Sequence, residues 1–233
     1  LYIRALKELD RKDEATVALR QASDLVSTLT AEDLSNDSNQ LLLAATVTFE
    51  NAEYESAYRF LTKYLEYEPQ DLRAGKQLAR LLMKMNKPAE ASRLLTRLKL
   101  KDPDDPQLLI MLGDVNSNLH DYAAAERYYQ FALDKLQANP VLIGRIGLSQ
   151  LQQGQTDAAI ETFRELVDQD GSANVGASVF LGILYFSDRR LVEAREVADR
   201  VAGLQPDNLV ALNLQAAVTV EQGDRTLGRQ RLE

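Results

Sequence analysis

The sequence predicts an all-α fold, an α-solenoid of helix–turn–helix repeats winding into a superhelix. Three observations carry that expectation. Small residues recur at Ala15, Ala57, Ala91, Ala125, Ala159, Ala194 and Gly228, at intervals of 42, 34, 34, 34, 35 and 34. Six of them close a short polar stretch: DRKDEA (10–15), NAEYESA (51–57), NKPAEA (86–91), HDYAAA (120–125), GQTDAA (154–159) and GDRTLG (223–228). Each period also reads as two amphipathic helices joined by that polar stretch. One such pair cannot bury its own apolar face, so successive pairs must stack.

The elements follow in chain order. The first unit lacks the start of its first helix, and its polar turn begins at Asp10. Between the first two small residues the interval is eight longer than the period, and the surplus falls in Ser27–Asp37. Its TAEDLSND stretch reads as a longer loop or an extended helix end. Later units are regular, and Pro106–Ala138 shows why. Leu108, Leu109, Leu112 and Val115 recur at helical spacing, His120–Asp121 breaks the pattern, and Ala125, Tyr128, Tyr129, Ala132 and Leu133 begin it again. Pro106 suits a first helical turn, with Asp105 as its N-cap, and Asp71, Asn139 and Asn208 sit at similar openings. Asn86, His120, Gly154 and Gly223 fall where a left-handed backbone is tolerable. Pro69, Pro103 and Pro206 close second helices, which proline cannot continue. One extra residue falls near Gly171–Asn174, and Gly228 in place of alanine suggests a looser last unit. The expected organisation is one continuous array over residues 1–233 of about seven units, the first and last incomplete, with a longer connection at 27–37. The chain begins with Leu1 and stops inside a repeat, so it is expected to be part of a larger protein.

Composition removes several functional classes. Among 233 residues, 45% are apolar and 27% charged, and no stretch approaches the roughly 18 apolar residues of a membrane span. With no cysteine, disulfides, thiolate zinc sites and thiol nucleophiles are excluded. A net charge of -8 argues against a general nucleic-acid binder. No GxxxxGK[ST], GxGxxG, HExxH or GxSxG string occurs, which leaves phosphate loops, zincins and hydrolase elbows without their marks. The single histidine, His120, occupies the same turn slot as Asn86 and Gly154 and has no catalytic partner in view. Asp102, Asp104 and Asp105 lack the alternating oxygens and glycine of a calcium loop and read as caps and turn. The sequence therefore offers no catalytic, cofactor or metal site.

With this register in hand, the chain resembles the tetratricopeptide repeat family over essentially its whole length. The family pattern places a large–small pair in the first helix, matched here by Leu78–Ala79, Leu112–Gly113, Ile146–Gly147 and Leu181–Gly182. Its second-helix positions are matched by Ala57/Leu61/Tyr64, Ala91/Leu95/Leu98, Ala125/Tyr129/Ala132 and Ala159/Phe163/Leu166. Small residues let helices approach closely, and large ones fill the holes between them. The family's early tryptophan is absent, and Gln215 stands in the large position of the last pair.

The resemblance implies that first helices line a concave, ligand-binding side. On the helix opening at Leu72 that stripe reads Arg73, Lys76, Arg80 and Lys84, four cations on one face. Residues 72–101 carry nine Lys/Arg against Glu90 alone, a net +8, whereas 38–71 carry -4. Like charges at this spacing destabilise a helix by roughly 0.2–0.5 kcal/mol per pair, so the stripe either serves an anionic ligand or pairs with acids of adjoining units such as Asp114 or Glu50. Farther along, the stripe turns apolar: Val141, Leu148 and Leu151, then Val179, Ile183 and Phe186, then Val210, Ala217 and Val220. It is either buried in a tight superhelix or a groove for a partner helix or strand. Lys76 and Arg145 resemble fragments of the family's carboxylate clamp, without its asparagines. The clustered tyrosines fall mainly in second helices and read as packing.

The strings LAATVTFENAEYESAYRFLTKYLEYEPQDLRAGKQLARLLMKMNKPAEASRLL and GLSQLQQGQTDAAIETF are also similar to the repeat-rich lipoproteins encoded with bacterial exosortase (PEP-CTERM sorting) and exopolysaccharide loci. That resemblance implies a non-enzymatic protein-interaction scaffold, accessory to polysaccharide export or protein sorting at the cell envelope. The location implied is periplasmic or outer-membrane-anchored, through a part outside these residues, with a cytoplasmic adaptor as the alternative. Expected partners are a protein or peptide, an acidic one included, or an acidic polysaccharide, but not nucleic acid and not the membrane interior. A carbohydrate-binding accessory is the competing reading; it needs concave aromatics, for which Phe49 and Phe186 are the candidates.

Overall fold

A computed structural model describes residues 10–34, 37–136, 139–169 and 174–223. Among the described residues there are twelve α-helices and no strand. The chain forms two compact units, Leu1–Leu119 and His120–Glu233. The first unit holds α1 (Lys12–Ser27), α2 (Ser38–Glu50), α3 (Tyr54–Tyr67), α4 (Leu72–Lys84), α5 (Pro88–Lys99) and α6 (Pro106–Asn118). The second holds α7 (Tyr122–Leu136), α8 (Pro140–Gln152), α9 (Thr156–Gln169), α10 (Val175–Ser187), α11 (Leu191–Leu204) and α12 (Leu209–Glu221). The division falls inside the Pro106–Ala138 repeat, between its two helices.

Each helix packs against the next within its unit, and α10 also reaches α12. The even-numbered helices are the first helices of their repeats. All six open on Asp or Asn, namely Asp37, Asp71, Asp105, Asn139, Asn174 and Asn208, whose side-chain oxygens accept from backbone N–H groups of the first turn. Those N–H groups have no partner inside the helix, so the cap is what satisfies them. Asp37 and Asn174 were not singled out in the sequence, although the 34-residue register reaches both.

The turns repeat as strictly as the caps. Asp10, Ala52, Asn86, His120, Gly154, Arg189 and Gly223 all have positive φ. Each stands five residues before a small residue of the series at 15, 57, 91, 125, 159, 194 and 228. The reversal returns the chain to the helix end: the N–H groups of Glu53, Lys87, Gln155 and Arg190 donate to the carbonyls of Thr48, Leu82, Gln150 and Tyr185 at 2.8–2.9 Å. Carbonyls that the helix would leave unpaired are thereby satisfied.

Close packing accounts for the small residues. Ala57, Ala91, Ala125, Ala159 and Ala194 are completely buried, and every large–small pair and second-helix set named above is buried with them. At Gly147 a Cβ would come within 2.8 Å of Phe163 Cε2, and at Gly182 within 2.7 Å of Leu214 Cδ2. In the second unit Ile143, Ala159, Phe163, Leu181, Val197 and Leu214 belong to one continuous core. Gln215 keeps its place by donating from Nε2 to Asp199 Oδ1 at 2.6 Å. The surplus at 27–37 is a loop where it is described: Asp33 accepts from the N–H and Oγ1 of Thr30, both at 2.8 Å, and Leu34 is buried. Gly228, the start of the first unit and Gly171 lie outside the described residues.

Candidate functional site

The first unit carries the basic stripe. Asp71 Oδ1 accepts from the N–H groups of Arg73 and Ala74, which starts α4 and fixes its rotational register. Three of the four cations, Arg73, Arg80 and Lys84, are exposed. Lys76 is different. Its Nζ donates to Asp105 Oδ2 at 2.7 Å, and the two side chains are only 12% and 14% exposed. Asp105 Oδ1 meanwhile caps α6 through Gln107 and Leu108. Lys76 therefore ties one first helix to the next, a structural role open to it only because Asp105 has a second oxygen to offer. Arg73, Arg80 and Lys84 make no ion pair among the described residues.

Two carboxyls here titrate low. Burial alone would raise Asp105, but the hydrogen bond from Lys76, those from the Leu108 and Gln107 N–H groups and the Lys76 charge hold it below its ordinary value. Burial would likewise raise Asp71, and the Ala74 N–H, the Tyr64 hydroxyl, the Arg73 N–H and the Arg73 charge bring it below. Tyr64 donates to Asp71 Oδ2 at 2.8 Å. Burial, then that bond and the Asp71 charge, push the phenol up to about 12.

A groove of about 740 Å³ opens over these helices, lined by Leu43, Thr46 and Phe49 of α2 and by Arg73, Gln77 and Arg80 of α4, with Glu50 and Asp71 also on its walls. Beside it lies a smaller pocket of about 360 Å³. Phe49, Met83, Met111 and Val115 supply its apolar surface, and Arg80, Lys84, Asp114 and Asn118 stand around them. Phe49 is half-buried and tilted against Tyr54, ring centroids 6.1 Å apart. The sequence reading did not single out the methionines as site residues. Their rarity was the available signal, since the chain has three and two line this pocket.

In the second unit the apolar stripe divides. Val141 is 65% exposed, and Leu148 and Ile183 are each 41% exposed. Leu151, Val179 and Phe186 instead pack against the buried core. Val210 and Val220 of α12 are exposed, as is Phe180, which stacks on Phe163 with centroids 5.7 Å apart. Arg145 lies over the Tyr129 ring at 5.6 Å. The two fragments resembling a carboxylate clamp are thus held by Asp105 and Tyr129. His120 is exposed at its left-handed turn, with Nδ1 2.7 Å from the Tyr122 hydroxyl. No helix among the described residues is long and apolar enough to cross a membrane.

These capped helix pairs are the architecture of a repeat-built binding scaffold. Residues 49–114 match a tetratricopeptide repeat family model, and residues 145–208 match a second one. The chain therefore carries tetratricopeptide repeats in both of its units. Solved structures agree on the fold. A tetratricopeptide repeat protein from Parabacteroides merdae ATCC 43184 superposes with a TM-score of 0.70 at 15% identity, covering 83% of this chain and 77% of that one. The MamA protein gives 0.65 at 18% identity, covering 71% and 90%. YrrB, described as a tetratricopeptide repeat protein with an unusual peptide-binding site, gives 0.63 at 23% identity, covering 78% and 93%. No curated protein matches the chain.

Proposed function

We propose that this chain is a non-enzymatic scaffold that binds a protein or peptide segment along the first helices of its first unit. The observation that carries this reading is the groove over α2 and α4, where apolar Leu43 and Phe49 lie beside Arg73 and Arg80, cations without ion-pair partners among the described residues. An extended segment fits such a surface, with apolar side chains on the floor and carboxylates against the guanidinium groups. The peptide-binding site reported for YrrB supports the reading by analogy of fold. Selection from a random peptide display library on the purified chain tests it. Binders should be enriched, and the double reversal Arg73→Glu with Arg80→Glu should weaken them by roughly tenfold or more while leaving the helical signal unchanged. If no sequence is enriched, or if enriched peptides bind the double variant equally well, the reading fails.

The similarity of the quoted strings to envelope lipoproteins supports a finer reading: an accessory of exopolysaccharide export or PEP-CTERM protein sorting, periplasmic or held at the outer membrane through a part beyond these residues. An N-terminal lipobox in the full-length gene product would be the expected finding, and fractionation of that product with the cytosol would overturn it.

A further inference from the structure

We propose that the pocket between α2, α4 and α6 seats one large apolar side chain of a peptide whose neighbouring residues are acidic. This rests on the scaffold reading above and names the chemistry of the segment it would hold. The pocket measures about 360 Å³, and Phe49, Met83, Met111 and Val115 give it an apolar lining. Methionine is flexible and polarisable, so it adapts to an inserted side chain where branched residues would fix one shape. Two of the chain's three methionines stand here. Arg80 and Lys84 rise at the edge, both exposed and neither in an ion pair among the described residues. Asp114, the acid on the same wall, already has a partner.

Charge complementarity selects the occupant. Residues 72–101 carry a net +8 within a chain of -8. Among the described residues, Lys76 is the one stripe cation neutralised by an ion pair, with Asp105. Arg80 and Lys84 line the apolar hole and Arg73 lines the adjoining groove, a combination matched by a hydrophobic residue set among Asp and Glu. An acidic polysaccharide would satisfy the cations and leave the hole empty, and Phe49 is its single aromatic wall.

The test uses short fluorescent peptides of Asp, Glu and Ser with one central Leu, and fluorescence anisotropy. Replacing that Leu by Ala should weaken binding roughly tenfold or more, from the lost apolar transfer energy. Replacing the acids by Gln should weaken it similarly and remove the salt dependence. In the chain, Met83→Glu should erase the difference between the Leu and Ala peptides and Met83→Leu should keep it. Arg80→Glu with Lys84→Glu should weaken every acidic peptide. Circular dichroism of each variant controls for folding. Equal binding of the Leu and Ala peptides overturns the proposal, and so does a failure of all the acidic peptides to bind. Polygalacturonate binding more tightly than the peptides, and equally to the wild-type chain and Met83→Glu, overturns it too. Library-selected peptides whose binding ignores both Met83→Glu and the Arg80/Lys84 reversal would overturn this pocket while leaving the scaffold reading in place.

Discussion

Ala52 and Arg189 hold a left-handed backbone with φ of 61° and 62°, in slots that Gly154 and Gly223 fill without steric cost. A Cβ in that region costs roughly 1–2 kcal/mol, and neither residue has the short polar side chain, as Asn86 and Asp10 do, that tolerates this conformation. Ala52→Gly should therefore raise stability by about 0.5–1 kcal/mol, after the added entropy of the unfolded chain is subtracted. Gly154→Ala should lower it by about 1 kcal/mol. Urea denaturation of both variants checks the pair, and the same sign for the two would refute the argument. Ser178 poses a different question at this scale. Its Oγ is buried with no hydrogen-bond partner among the described residues, which leave desolvation of the hydroxyl uncompensated. Ser178→Ala should be neutral or stabilising by up to about 1 kcal/mol, and a substantial loss on denaturation would mean that the hydroxyl has a partner.

At the scale of the element, Asp105 joins two jobs in one carboxylate, capping α6 with one oxygen and holding Lys76 of α4 with the other. The jobs separate by substitution. Asp105→Asn keeps a capable N-cap and loses the charge, and should cost about 1 kcal/mol. Asp105→Ala loses both and should cost about 2–3 kcal/mol. A double-mutant cycle with Lys76→Met measures the ion pair, which should show coupling with Asp105 and none with Asp71. Equal costs for the Asn and Ala variants would show that the cap contributes nothing. Sequence periodicity made these elements legible because packing sets it: buried alanines, large–small pairs and turns all obey one interval. The choice between a ligand role and a structural role for Lys76 was not legible. Glu50 and Asp114 are the acids that the register offers the stripe, and the residue that pairs with Lys76 is Asp105, which the sequence marks as a cap. Which apolar positions of the second unit face solvent was equally hidden. Val179 and Ile183 share the α10 stripe, yet one packs on the core and the other does not. A four-residue step advances the helix face by about 40°, enough to cross the edge of the buried arc.

Across the whole molecule the first-helix caps change type. Asp37, Asp71 and Asp105 serve the first unit, and Asn139, Asn174 and Asn208 serve the second. At ordinary pH both types cap the first turn: the three aspartates and Asn139 each accept from two N–H groups, and Asn174 and Asn208 from one each. Acid separates them. Asp71 and Asp105 have folded-state pKa values below the ordinary 3.8, so the folded chain binds fewer protons than the unfolded chain as pH approaches that range. The stability they contribute is fully present above about pH 4 and is lost as pH falls through the lower folded-state values. The asparagine caps do not titrate. Among the described residues of the second unit the carboxyl held low is Glu193, through its own backbone N–H and then Arg190, at the solvent surface, where such bonds stabilise little. Hydrogen exchange followed unit by unit between pH 6 and pH 3 should therefore show protection falling earlier in α4 and α6 than in α8, α10 and α12. Asp71→Asn with Asp105→Asn should lower protection at pH 6 and flatten its decline toward pH 3. Parallel loss of protection in both units of the native chain, unchanged in the double variant, would show that acid acts elsewhere than at these caps.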